Sequence, residues 1–308
     1  MSALDPAKFP TLLDVSVNDK GSAHDVIVEA IHSHQEVNLF PSSTQPECKL
    51  DVQVLVSLPG GDTFRRPNEG VSPSKTTFEL KSFDMALVER RVEVDKHGIY
   101  ERAKDKARLL INQSVPQMAK ALSVIAQQII YGSLNDANKG FPGLLAQAND
   151  AATHVVDATG TSAKSSVWLL EVLPANMELV FGADASLTMG DDWDEETVTV
   201  DGTNRLKVLS NIIKGWVGFR LLNRNRAVRI KNIGVAAGKL CTNARMNDAL
   251  NLCQDDLGFT PTHILGHGRS FEQLRKDNIT DLLPNPPRLT EFAGIPLIRS
   301  INISKDEA

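Results

Sequence analysis

Cysteine is scarce in this chain: Cys48, Cys241 and Cys253 are the only three in 308 residues. The number is odd and the spacing is not that of a metal site. So few exclude a disulfide scaffold and point to a reducing cytoplasm. Long apolar runs are missing too, since none approaches the ~18 residues of a membrane-spanning helix. The first residues carry Asp5, Lys8, Asp14, Asp19 and Lys20 without a continuous apolar stretch, so no secretory signal is expected. There is no excess of base: 33 Lys and Arg stand against 38 Asp and Glu, a net charge of -5. A chain that gripped nucleic acid chiefly through phosphates would be basic overall. Nucleophile elbow, phosphate loop and dinucleotide fingerprint are all lacking. Gly60-Gly61 and Gly266-His-Gly268 read as turns. No enzymatic activity and no cofactor or metal is expected, and no repeat recurs at solenoid spacing. With 42% hydrophobic and 23% charged residues the chain is not disordered, and its length suits about two domains.

The first stretch reads as an arm. Pro6 and Pro10 precede one short helical pattern, in which Ser22 can cap, Asp25 follows three residues on, and Val26, Ile27, Ala30 and Ile31 form a stripe. So short a stripe builds no core of its own and must lie on something else. A linker rich in turn formers, 41–46, comes next.

Then Leu50, Val52, Val54 and Val56 alternate with Asp51, Gln53, Leu55 and Ser57, the period of a strand. Turn formers fill 58–74, and alternation resumes at Phe78 and Leu80 and runs on through Val94. The pattern predicts a long antiparallel hairpin with a broad loop at its tip. Nine residues span about 30 Å at roughly 3.3 Å each. A lone two-stranded ribbon is marginal in water, so contact with another chain should complete it.

From Ile99 to Tyr131 the period becomes helical. Pro116 interrupts it, which predicts a charged helix over 99–112 and an apolar one over 115–131, with Ser114 capping the second and Gln117 at the capping-box position. Gly132 should end it. The middle third reads as strands: 165–173, then 197–200 and 205–209 about the Asp201-Gly202 turn, then 215–222 and 227–233. A helix over 243–253 with Asn243 as cap, a short strand over 263–265, a helix over 271–277 capped by Ser270 and a strand over 295–303 complete the chain. The class is α+β, with segregated helices and antiparallel strands.

Several clusters invite a chemical reading. His32-Ser-His34 has two histidines two apart, which on a helix do not face each other; a solvated helix end is the simpler reading. His263-Ile-Leu-Gly-His267 has Ile264 where a zinc-protease helix has its glutamate, and Gly266 disfavours a helix. The run 191–196 carries five carboxylates but no EF-hand spacing, so a solvated loop or a contact with a basic neighbour is favoured over calcium. From Arg205 to Lys231 there are eight bases and no acid. That face is open to three readings: simple solvation, or, with Arg224, Arg226, Arg229 and Lys231 as the residues concerned, pairing with the acidic run of a neighbouring subunit or facing packaged nucleic acid.

The order of these segments resembles the major capsid proteins of tailed bacteriophages with the Hong Kong 97-type fold. Stretches similar to a podovirus-like branch are Gly70-Val-Ser-Pro-Ser-Lys75, Glu93-Val-Asp-Lys96, Ile130-Tyr-Gly132 followed by Gly140-Phe-Pro-Gly-Leu144, and Ser165-Ser-Val-Trp-Leu169. Thr197-Val-Thr-Val200 and Val228-Arg-Ile-Lys-Asn-Ile233 continue the likeness.

The resemblance implies an N-terminal arm over 1–46, an extended β-hairpin loop over 47–95 and a peripheral domain with a spine helix and long sheet over 96–237, parts of it axial. It further implies an axial domain over 238–292 and a strand over 293–308 returning to the peripheral domain. Implied partners are copies of the chain in hexamers and pentamers, a portal protein, scaffold or decoration proteins, and packaged double-stranded DNA held by non-specific contacts, with no membrane. The implied place is the virion, assembled in the host bacterial cytoplasm. Arg65, Arg66 and Glu69 at the hairpin tip are expected to make an intersubunit charge contact. Within the fold the alternative is an encapsulin-like nanocompartment shell. Outside it, the alternative is a soluble binding protein or enzyme with a concave apolar pocket.

Overall fold

The structure is a computed structural model that describes residues 35–46, 49–57, 60, 67–68, 70, 74–101, 106–133, 140–148, 154–174, 176–182, 187–189, 192–200, 204–278 and 287–307. The helical pattern over 22–31, His32, His34, and the tip residues Arg65, Arg66 and Glu69 lie outside them.

Alternating residues build the expected ribbon. Strand β2 (Lys49–Ser57) pairs antiparallel with β3 (Thr77–Asp84), from Lys49 opposite Asp84 to Ser57 opposite Thr77, as a separate two-stranded sheet. The second arm of the hairpin was expected to continue through Val94. It divides instead at Met85, which is buried and packs with Val180. Beyond it β4 (Ala86–Asp95) leaves the ribbon and joins a larger sheet. Gly218 lies close to this turn-in: a Cβ there would stand 3.1 Å from Met85 Cγ, so the methionine side chain would have to give by a few tenths of an ångström.

The first large sheet runs β1 (Ser42–Thr44), β7 (Met177–Phe181), β10 (Asn204–Leu221) and β4. The short β8 (Thr188–Met189) and β9 (Asp194–Val200) also pair with β10. The sequence pattern predicts two strands here, 205–209 and 215–222. They are one strand of 18 residues. The ladder with β4 continues through Ser210, opposite Glu93, and Asn211, opposite Val92; both are buried, and Asn211 Nδ2 donates to the Asp192 carbonyl at 3.1 Å.

Helix α1 (Gln35–Leu39) precedes β1, and the long helix α2 (Lys106–Tyr131) packs on β4 and β10. Two helices divided at Pro116 were expected; there is one of 26 residues, preceded by a π-helical turn at Lys96–Tyr100. Proline removes the hydrogen bond to the Asn112 carbonyl. Asn112 and Pro116 are both exposed, so water can replace it. Ser114 is buried and donates to the Leu110 carbonyl at 2.8 Å, bonding back into the helix rather than capping a new one. Gly132 follows the last turn, as expected.

The second sheet runs β13 (Glu291–Phe292), β14 (Ile295–Arg299), β12 (His263–Gly266), β6 (Ser165–Leu170), β11 (Ala227–Ile233) and β5 (Val155–Asp157). All six residues of β6 are buried. Trp168 and Leu170 enter one core with α2, β7, β10 and the short α3 (Leu144–Ala148). Val167 and Leu169 enter another beneath α4 (Asn243–Asn251) and α5 (Gly268–Asp277). The final strand, β14, pairs parallel with β12, Ile264 opposite Leu297, and Ile295 seals the second core. Two caps also differ from expectation. Thr242 rather than Asn243 caps α4, and His267 rather than Ser270 caps α5, because Ser270 is buried 3.0 Å from Ser165 Oγ.

Candidate functional site

The last three residues of the acidic run, Asp194, Glu195 and Glu196, open strand β9 rather than a loop, and the bases that Glu195 and Glu196 meet come from their own chain. In β9, Glu195 pairs with Lys96 and, at 3.1 Å, with Lys207, while Glu196 pairs with Arg91. The hydrogen bonds from Lys96 and then Lys207 hold the Glu195 carboxyl down at about 2. These exposed pairs fix the edge of the sheet more than they stabilise it.

The basic segment is likewise largely consumed internally. Arg226 pairs with Glu171 at 2.5 Å, Lys231 with Asp157 at 3.5 Å, and Arg220 with Glu178. Arg229 is buried against Glu307 at 2.8 Å, so it does not offer its charge to DNA or a neighbour. Arg224 is exposed and has no ion pair among the described residues.

No three His, Cys, Asp or Glu side chains among the described residues converge as a metal site. His263 Nδ1 lies 2.9 Å from Thr262 Oγ1, and His267 Nδ1 accepts the Arg269 N–H at 3.0 Å. Burial lowers the pKa of both imidazoles. Cys241 and Cys253 are buried, and desolvation pushes each thiol up to about 12, which fits their reading as small hydrophobes. No helix among the described residues is long and apolar enough to cross a membrane.

What the surface does offer is apolar. On β3, Phe78 and Leu80 share one face and are 58% and 63% exposed. On the first sheet, Leu87 of β4 stands directly opposite Trp216 of β10, 47% and 37% exposed. Ile212, Lys214 and Trp216 point outward at period two while Asn211, Ile213, Gly215 and Val217 are buried. Sequence reasoning missed this outward face; the available signal was Lys214 between two apolar residues of like parity.

A family model described as Major capsid protein GP7 matches residues 19–257. No curated protein matches the chain in sequence. Among solved structures, that of bacteriophage Epsilon15 is similar with a TM-score of 0.64 and 16% identity, over 87% of this chain and 87% of that one. The bacteriophage JBD30 capsid is similar with a TM-score of 0.51 and 8% identity, over 94% of this chain and 97% of that one. At these identities the likeness is one of fold.

Proposed function

The chain belongs to the family of the major capsid protein GP7, and from that premise we propose how its surfaces build a shell. It is a tailed-bacteriophage major capsid protein with the Hong Kong 97-type fold, and its role is structural: it forms the wall of the icosahedral head. The observation that carries this is the family match over 19–257 together with a fold shared with Epsilon15 over 87% of both chains.

In the proposed assembly the chain forms hexamers and pentamers. The ribbon of β2 and β3 reaches over the adjacent copy, and Phe78 and Leu80 cover an apolar face there, with Leu87 and Trp216 as the receiving pair. Burial supports this reading: at about 25 cal/mol per Å², these apolar side chains lose free energy only when covered. The first sheet with α2 is assigned to the peripheral domain, and the second sheet with α4 and α5 to the axial domain. Strands β5, β6 and β11 therefore join the axial part despite their place in the middle of the chain. Arg65, Arg66 and Glu69 make a charge contact between copies. An exposed pair is worth at most about 1 kcal/mol, so it guides register more than strength. Arg224 is the member of the basic segment proposed to meet packaged double-stranded DNA. The portal protein, with scaffold or decoration proteins, is a further proposed partner, and assembly takes place in the host cytoplasm.

Size-exclusion chromatography with electron microscopy tests the assembly. Closed particles tens of nanometres across are expected, and a discrete small species would overturn it. Reversing both charges in Arg65→Glu/Arg66→Glu should impair particles and leave subunit folding intact. Normal particles from that variant would end the charge-contact idea alone.

A further inference from the structure

Strands β13 and β14 form a hairpin about Ala293 and Gly294, which take positive φ. Phe292 stands opposite Ile295 and Glu291 opposite Pro296, and the Leu297 N–H donates to the Thr290 carbonyl at 2.8 Å. The same register, carried two residues further, sets Arg288 opposite Arg299. Like charges directly opposite across a ladder repel. Both arginines share the parity of Ile295 and Leu297, which pack in the second core, so the pair stands at the rim of that core on the side of α5. Two carboxylates lie close in the chain or the fold, and neither is bonded to the pair. Glu291, the one acid within 288–299, has the opposite parity. Glu272 of α5 accepts from Arg275, Nε at 2.9 Å and Nη2 at 2.6 Å. Arg275 and Lys276 complement the C-terminal end of the α5 dipole, a role that Arg288 and Arg299 do not have.

Arg299 is half-buried, and its Nη2 is shielded from water with no hydrogen-bond partner among the described residues. Arg288 is exposed and enters no ion pair among those residues. Burial, and then the charge of Arg288, lower the pKa of Arg299, with Glu272 pulling the other way. A guanidinium stays protonated all the same, so its charge is answered only by an acceptor. We propose that Arg288 and Arg299 together bind a phosphate group. A phosphate carries charge and oxygens enough for two guanidinium forks, whereas a single carboxylate suits one. Bound between them, it turns the repulsion across the hairpin into two attractions and gives the shielded Nη2 its acceptor. Two sources share this chemistry: free inorganic phosphate and the backbone of duplex DNA. The site follows from the hairpin itself and goes beyond the shell reading without depending on it.

The test is equilibrium dialysis of the full-length chain against labelled inorganic phosphate, with ionic strength held constant by sodium chloride. Saturable binding is expected, weakened about tenfold or more in Arg288→Gln and in Arg299→Gln. It should be unchanged in Lys120→Gln, which alters an exposed base elsewhere on the surface. Arg288 is exposed, so its variant keeps the test valid if Arg299→Gln fails to fold. Thermal melting adds a readout that a purely structural role would not move. Without phosphate, Arg288→Gln should melt no lower than the parent, because a repulsion is gone. With phosphate the parent should rise and the variant should not, so that the parent melts higher. Absence of saturable binding overturns the proposal, as does equal binding by Arg288→Gln or an equal rise in melting temperature with sodium chloride alone. A short DNA duplex then separates the sources. Displacement of labelled phosphate by the duplex assigns the site to the nucleic-acid backbone, and undiminished binding assigns it to the free anion; either result upholds the site.

Discussion

Arg229 and Glu307 stand 78 residues apart in the chain and 2.8 Å apart in the fold, guanidinium Nη2 to carboxylate Oε2, and both are buried. The same carboxylate accepts from Ser166 Oγ at 2.6 Å and from the Tyr131 hydroxyl at 2.5 Å. The guanidinium lies 5.4 Å from the Trp168 ring. One acid thus ties the tail to the end of α2 and to two strands of the second sheet.

Removing that carboxylate strands a buried cation. Glu307→Ala should destabilise the subunit by about 3–5 kcal/mol in denaturant unfolding. Glu307→Gln, which keeps an acceptor, should cost less. A Glu307→Ala subunit as stable as the parent would show that the pair contributes nothing.

Acid should loosen the second core through His267. Its Nδ1 accepts an N–H at the start of α5, which requires that nitrogen unprotonated. Desolvation, and then the charges of Arg269 and Lys305, hold its pKa below the ordinary 6.5. A group whose folded pKa is depressed contributes stability that is present above the unfolded value and lost as pH falls through the folded one. The melting temperature should therefore drop from about pH 6.5 downward. His267→Asn keeps a cap that does not titrate and should reduce that drop. Parallel pH profiles for the two proteins would remove His267 as the cause.

Pro116 costs α2 a hydrogen bond without breaking it. Pro116→Ala restores the N–H to the Asn112 carbonyl and should stabilise the subunit by about 1–3 kcal/mol, read from chemical denaturation. Loss of stability in that variant would mean that the local backbone is fitted to proline.

Phe78 and Leu80 should matter to the particle and not to the subunit. Phe78→Asp/Leu80→Asp changes exposed positions, so subunit stability should move by no more than about 0.5 kcal/mol per site. Particle yield by electron microscopy should collapse. Full yield would show that the ribbon's apolar face is not a contact between copies.

Local pattern carried much of this fold and stopped where partners are distant. Val52 and Val54 announce β2, and Val228 and Ile230 announce β11, because alternation and apolar runs are properties of neighbouring residues. Pro116 misleads because the proline rule assumes a carbonyl with no other partner, and Asn112 faces water. That Ser210 and Asn211 are buried within one long strand is not legible locally, because burial of polar residues depends on partners such as the Asp192 carbonyl. That β14 would choose β12 is a pairing decision among strands, and no residue of 295–299 encodes it alone. Glu36 and Glu307 look like any other surface acid until the C-terminal segment is seen folded over Glu36 and carrying Glu307 against Arg229.

Strand β6 gives Trp168 and Leu170 to one core and Val167 and Leu169 to the other. Neither layer can melt while the other keeps its side chains in place, so heating should produce a single transition rather than two. A wall tiled from such subunits has no soft half: it can flex where tiles meet, and each tile turns as a rigid plate.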